Sequence, residues 1–129
     1  MNEPPAIRPR EIVILATRPA DLAAWYETAL GFRVTARFPE LDYVNLESPG
    51  GVRIGIGGAP EDGLDARSRP PGRIAPQLET DDVEALLRRV HAHGGEVDGP
   101  HRDAAKGFHF GSFKDPDGHV WWVVDPACP

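Results

Sequence analysis

The same order of elements is written twice in this chain, once on each side of a segment with no core-forming pattern. Gly57 to Gly72 (GGAPEDGLDARSRPPG) is dense in Gly, Pro and charge and lacks an apolar period, so it reads as a linker. Ahead of it, Glu11 to Thr17 (EIVILAT) is an apolar, β-branched run of strand length. Pro19 fits the first turn of a helix, where a missing N–H costs nothing. Leu22, Trp25, Tyr26 and Ala29 then recur at i, i+3, i+4 and i+7 as one apolar stripe, and Gly31 supplies the stop. Extended segments follow at 32–38, 43–47 and 52–56, the last preceded by the turn Ser48-Pro49-Gly50-Gly51.

Beyond the linker the order repeats. Ile74 to Glu79 reads as a strand. Asp81 and Glu84 have capping-box spacing, and Val83, Leu86, Leu87 and Val90 form a second helical stripe ended by Gly94 and Gly95. Extended pieces come around Val97, at Phe108–Lys114 and at His119–Val124, with the turn Asp115-Pro116-Asp117-Gly118 between the last two. The helix segments themselves align, DLAAWYETALGFRV with DVEALLRRVHAHGGEV, once two residues are inserted. One such unit cannot cover its own sheet. The prediction is therefore a single α+β domain of two βαβββ modules, 10–57 and 74–126, joined by a linker over 58–73. Residues 1–9 are Pro-rich and read as an arm.

Composition sets the boundary conditions. With 129 residues, 40% hydrophobic and 26% charged, the chain can bury a core without staples. Its lone cysteine, Cys128, cannot form an internal disulfide. A net charge of -6 disfavours nucleic acid and anionic membranes. No apolar stretch reaches membrane-span length, and MNEPPAIRPR lacks the apolar core of a secretion signal, so a cytoplasmic protein is expected. No nucleophile elbow, P-loop, dinucleotide fingerprint or Cys–His pair is present.

Two of the segments above carry a resemblance. DLAAWYETALGF resembles the helix-and-exit segment, and GSFKDPDGHVWWV the closing hairpin, of the vicinal oxygen chelate superfamily: glyoxalase I, bleomycin-resistance proteins and extradiol dioxygenases. The likeness covers residues 10–126, and it implies that the two modules form a cupped mixed β-sheet with the helices on its outer face. It implies four inward side chains, on the first and fourth strands of each module, holding a divalent ion that polarises vicinal substrate oxygens. Carried onto this chain, those positions fall on Glu11, Gly55, Ala75 and Trp122. Three of these have no donor atom, and one carboxylate cannot hold catalytic zinc, nickel or iron. The expectation is no metal and no other cofactor, which argues against glyoxalase and extradiol dioxygenase chemistry. A two-residue slip in register brings in Arg53, Gln77 or Glu79, and still no histidine.

What remains at the family position is a set of candidate ligand-binding residues. Glu11 is a surviving base or an anchor for a cation, against the plainer reading of a solvated or Arg-paired strand-start residue. Trp122 is a stacking platform for a flat ligand, or fills vacated space, or packs in a dimer. Arg53 binds an anion, pairs with Glu11 or is simply solvated; Gln77 shares strand parity with Ala75 and can hydrogen-bond a ligand. Phe110, with Phe108, forms an aromatic wall or belongs to the core. Gly55 and Gly57 widen the cup or mark a strand distortion. Among the five histidines, His91 and His93 do not share a helix face, His101 lies in a loop, and His119 falls opposite Lys114. His109 alone lies in a strand able to line the cup, where a structural role is the default.

The leading expectation is a protein that binds a small organic molecule, flat or cationic, in a metal-free cup. One alternative is a lyase, isomerase or dioxygenase-type enzyme with Glu11 as base or ligand. The other is a non-catalytic structural or regulatory dimer. A homodimer is expected because His119 to Val124 (HVWWVV) is apolar on both faces and needs cover on two sides.

Overall fold

The computed structural model describes Pro4, Ala6, residues 8–58 and residues 75–129. Most of the expected arm, the linker beyond Gly58 and the expected strand start at Ile74 lie outside these. The first half runs β1 (Ile12–Ala16), α1 (Pro19–Leu30), β2 (Arg33–Phe38), a 3-10 turn (Pro39–Leu41), β3 (Tyr43–Glu47) and β4 (Arg53–Gly58). The second runs β5 (Gln77–Glu79), α2 (Val83–Ala92), β6 (Glu96–Arg102), β7 (His109–Lys114) and β8 (Val120–Val124). Each half forms one four-stranded sheet of the same permutation, β1-β4-β3-β2 and β5-β8-β7-β6. In both, the first strand pairs parallel with the fourth and the other pairings are antiparallel. Even the irregularities repeat, a register shift between Val34 and Ala36 in one and between Asp98 and His101 in the other. The fold is α+β with two βαβββ modules, as the repeat predicts. Among the described residues no helix is long and apolar enough to cross a membrane.

Local chemistry fixes the helices. Pro19 opens α1, and Gly31 closes it at φ 73°, a left-handed conformation that a Cβ would strain, with its N–H on the Glu27 carbonyl. In α2 the cap is Asp82, one residue later than the capping-box spacing indicates; its carboxylate accepts from the Ala85 N–H at 2.9 Å. The fully buried side of α1 is Leu22, Ala23, Tyr26 and Ala29, and Trp25 of the expected stripe is partly buried against the same core. Its indole also reaches the other helix, donating to the His93 carbonyl at 2.8 Å. Arg89 answers from α2, donating to the Ala29 and Thr28 carbonyls at 2.8 and 2.9 Å. Each helix thus satisfies carbonyls at the other's C-terminal end, groups a helix cannot satisfy internally.

Strand alternation divides each sheet into two faces. Ile14, Ala16, Val44, Leu46, Ile54 and Ile56 make the buried face of the first sheet; Phe113, Trp121 and Val123 make that of the second. These belong to one continuous apolar cluster spanning both modules. Each such side chain contributes roughly 1.5–3 kcal/mol by leaving water. Tyr26 of α1 and Trp121 of β8 meet within that core, ring centroids 6.2 Å apart. The opposite faces carry the candidate residues.

Candidate functional site

On the open face of the first sheet, a side chain from β3 crosses a neighbouring strand to reach the start of β1. Tyr43 lies over Gly57 and Gly55 of β4 and donates its hydroxyl to Glu11 Oε1 at 3.2 Å. Only glycine permits this path. A Cβ at Gly57 would stand 3.0 Å from Tyr43 Cδ1; one at Gly55 would overlap the Tyr43 hydroxyl and lie 2.7 Å from Glu11 Oε2. Burial, then the charge and hydrogen bond of Glu11, raise the Tyr43 phenol above its ordinary range, with Arg10 opposing. Asn45 is opposite Gly55 in register, and its buried Oδ1 has no hydrogen-bond partner among the described residues. The sequence reading places Tyr43 and Asn45 in a strand and assigns neither to the site. The available signal was two glycines of equal parity on one strand, which indicates a close approach without naming what approaches.

The sequence candidates separate into two groups. Glu11 is half-buried beneath Tyr43, and among the described residues no arginine pairs with it. Arg53 is exposed and turns to Glu47, Nε to Oε1 3.1 Å, so it joins neither Glu11 nor the Gly55 site. In the second sheet Gln77 and Trp122 stand side by side in register, both exposed, with Ser112 opposite Trp122. Phe110 is half-buried opposite Val124, and packs with Phe108 and His101 at centroid distances of 5.7 and 5.3 Å. Ala75 precedes β5 and is exposed. Among the described residues no hydrogen bond or ring contact joins Glu11 and Tyr43 to Gln77, Phe110 or Trp122.

The histidines lie elsewhere. His109 is exposed, its Nδ1 3.3 Å from Asp125 Oδ2, on a strand face opposite to that of Phe110. The His109 backbone N–H donates to that same oxygen at 2.9 Å and is the main cause lowering the Asp125 carboxyl below its ordinary range. His101, His109, Asp82 and Asp125 border a depression of about 450 Å³ near the start of α2; none of the positions carried over from the family lines it. His119 falls opposite Asp115, one step from the expected pairing with Lys114, which Val120 takes.

Gly55, Ala75 and Trp122 offer a metal no donor, and Glu11 already receives the Tyr43 hydroxyl. Among the described residues no three His, Cys, Asp or Glu side chains gather as an ion site requires. This donor set does not fit the divalent ion that the fold implies.

Two like-permuted βαβββ sheets, each open on the side away from its helix, define a paired-module protein of the glyoxalase-like class. The chain belongs to the Glyoxalase/Bleomycin resistance protein/Dioxygenase superfamily, whose family model matches residues 8–123. Among solved structures, a hypothetical protein from S. aureus superposes with a TM-score of 0.71 at 22% identity, covering 94% of this chain and 95% of that one. A glyoxalase/bleomycin resistance protein/dioxygenase family enzyme from Burkholderia phytofirmans PsJN gives a TM-score of 0.70 at 18% identity, covering 89% and 95%. The bleomycin resistance determinant encoded on transposon Tn5 gives 0.68 at 19% identity, covering 92% and 98%. At these identities the likeness is one of fold. Comparison with curated proteins returns no significant match.

Proposed function

We propose that this protein binds a small organic molecule against the Glu11–Tyr43 pair, in a cup that works without a metal and takes its aromatic wall from Trp122. The observation that carries the reading is the placement of Tyr43 over Gly55 and Gly57. Glycine inside a strand costs about 0.5–1 kcal/mol relative to alanine. Two of them, aligned under one phenol that holds one carboxylate, are a costly way to finish a sheet face and a direct way to present polar groups on it. Glu11 supplies a charged acceptor and Asn45 a second, buried one. Trp122 offers a π face, with Gln77 and Phe110 beside it on the same side of the sheet.

A second copy of the chain completes the cup in this account. Val13, beside Gly55 on the first open face, is 57% exposed, and Trp122 on the second is 49% exposed. Covering both by one twofold contact is the commonest solution for such surfaces. The carboxylate and the indole then face a shared ligand from different subunits.

The test is a thermal-shift screen of organic amines, aromatic acids and thiol adducts. A ligand present at 100 times its dissociation constant stabilises by about 2.7 kcal/mol. Hits that disappear in both Glu11→Gln and Trp122→Ala support the proposal. Hits indifferent to both changes place the site elsewhere.

A further inference from the structure

The turn between β7 and β8 carries a buried carboxylate that the ligand site does not use. Asp115 is 3% exposed. Its Oδ1 accepts from the backbone N–H groups of Asp117 and His119, at 3.0 and 2.9 Å. Its Oδ2 accepts from the Tyr26 hydroxyl at 2.8 Å, and Trp121 donates its indole N–H to that same hydroxyl at 2.8 Å. His119 closes the system. Its Nδ1 is 2.9 and 2.8 Å from the two Asp115 oxygens, and its Nε2 is 3.0 Å from the backbone carbonyl of Leu15 in β1.

Both partners of that imidazole are acceptors only. A neutral ring has one N–H and one lone pair, so it can satisfy Asp115 or Leu15 and must present a lone pair to the other. Only the doubly protonated ring donates to both. We propose that His119, as an imidazolium, is a pH-sensitive latch that ties the second module's closing turn to the first strand of the first module.

Among the described residues few groups face this ring. Asp115 and Asp117 come from its own turn, the Leu15 carbonyl from β1, and the Tyr26 hydroxyl from α1 through Asp115. Burial by itself would lower the ring's pKa. The hydrogen bond and charge of Asp115, helped by the Leu15 carbonyl and the Asp117 charge, outweigh burial, and the net direction is upward. A group whose folded pKa is raised stabilises fully below its unfolded value, about 6.5 for histidine. That stability is lost as pH rises through the folded pKa. The proton leaves Nε2, the Nδ1–H stays on Asp115, and the Leu15 carbonyl is left facing a lone pair.

Glu11 immediately precedes β1, which holds Leu15, and Trp122 follows His119 into β8, so the latch also sets how the two open faces are placed. The experiment is a pH titration of the wild-type protein by nitrogen-15 histidine NMR, with amide hydrogen exchange and thermal unfolding across the same range. The expected result has three parts. His119 titrates above the ordinary value with both ring nitrogens protonated below its transition; exchange in β1 and α1, after correction for the intrinsic rise of amide exchange with pH, accelerates through that transition; and the unfolding midpoint falls through it. His119→Gln removes the fall. Titration at or below about 6.5, acceleration confined to the turn, or an unchanged pH slope in His119→Gln would each overturn the latch. Should His119→Gln fail to fold, the wild-type titration and exchange decide by themselves.

Discussion

Tyr26 and Asp115 are 89 residues apart and share one buried hydrogen bond of 2.8 Å, which joins the first helix to the second module's closing turn. The same hydroxyl accepts the Trp121 indole, so one oxygen satisfies two other buried groups. Burial first, then the Asp115 charge, push the Tyr26 phenol well above its ordinary range, and it stays a neutral donor at any working pH.

Tyr26→Phe keeps the ring and removes that oxygen. Asp115 loses a donor and the Trp121 N–H loses its acceptor, both in the core. The expected cost is about 1–3 kcal/mol, the usual penalty for a stranded buried polar group. Urea unfolding with an unchanged m-value is the check. A loss within a few tenths of a kcal/mol would mean that water reaches these groups.

Much of this architecture is legible in the chain, because it is written in local periods. Leu22, Tyr26 and Ala29 mark the buried side of α1, Gly31 its end, and Asp115-Pro116-Asp117-Gly118 the last hairpin. The repeat of those signals gives the module pair. The errors are local as well: the N-cap falls on Asp82 rather than Asp81, and His119 sits one register step from the expected pairing. The site is harder to read. Tyr43 meets Glu11 across an intervening strand, and His119 meets Leu15 from 104 residues away. Strand parity assigns such residues to a face, while their partners depend on sheet order. The two glycines at 55 and 57 are the trace that the first contact leaves in the sequence.

Gly55→Ala tests that trace. The added Cβ overlaps the Tyr43 hydroxyl, so the ring must swing off the sheet and release Glu11. Overpacking of this kind costs roughly 1–3 kcal/mol where the neighbour cannot yield. Here Tyr43 lies on an open face and can yield. The expected result is a change in Tyr43 fluorescence or NMR signals with a stability loss near the low end of that range. A crystal structure of Gly55→Ala with Tyr43 still on Glu11 would contradict the packing described.

The paired-copy cup makes its own demand. Trp122→Glu places a charge on the half-exposed face of β8 without touching the buried Trp121 and Val123 behind it. Light scattering at micromolar concentration is expected to give a dimer for the native chain and a monomer of unchanged circular dichroism for the variant. A native monomer removes the two-copy cup. A variant that stays dimeric moves the interface away from Trp122.

In the proposed cup Glu11, Tyr43 and Trp122 bind one small molecule together. Titration calorimetry with the best compound from the thermal-shift screen tests it most directly, on the native protein and on Glu11→Gln, Tyr43→Phe and Trp122→Ala. Weaker binding is expected in all three, with Trp122→Ala losing about 1 kcal/mol or more, the scale of an aromatic stacking contact. Affinity within error of native in all three variants, for a compound that binds the native protein stoichiometrically, would contradict it.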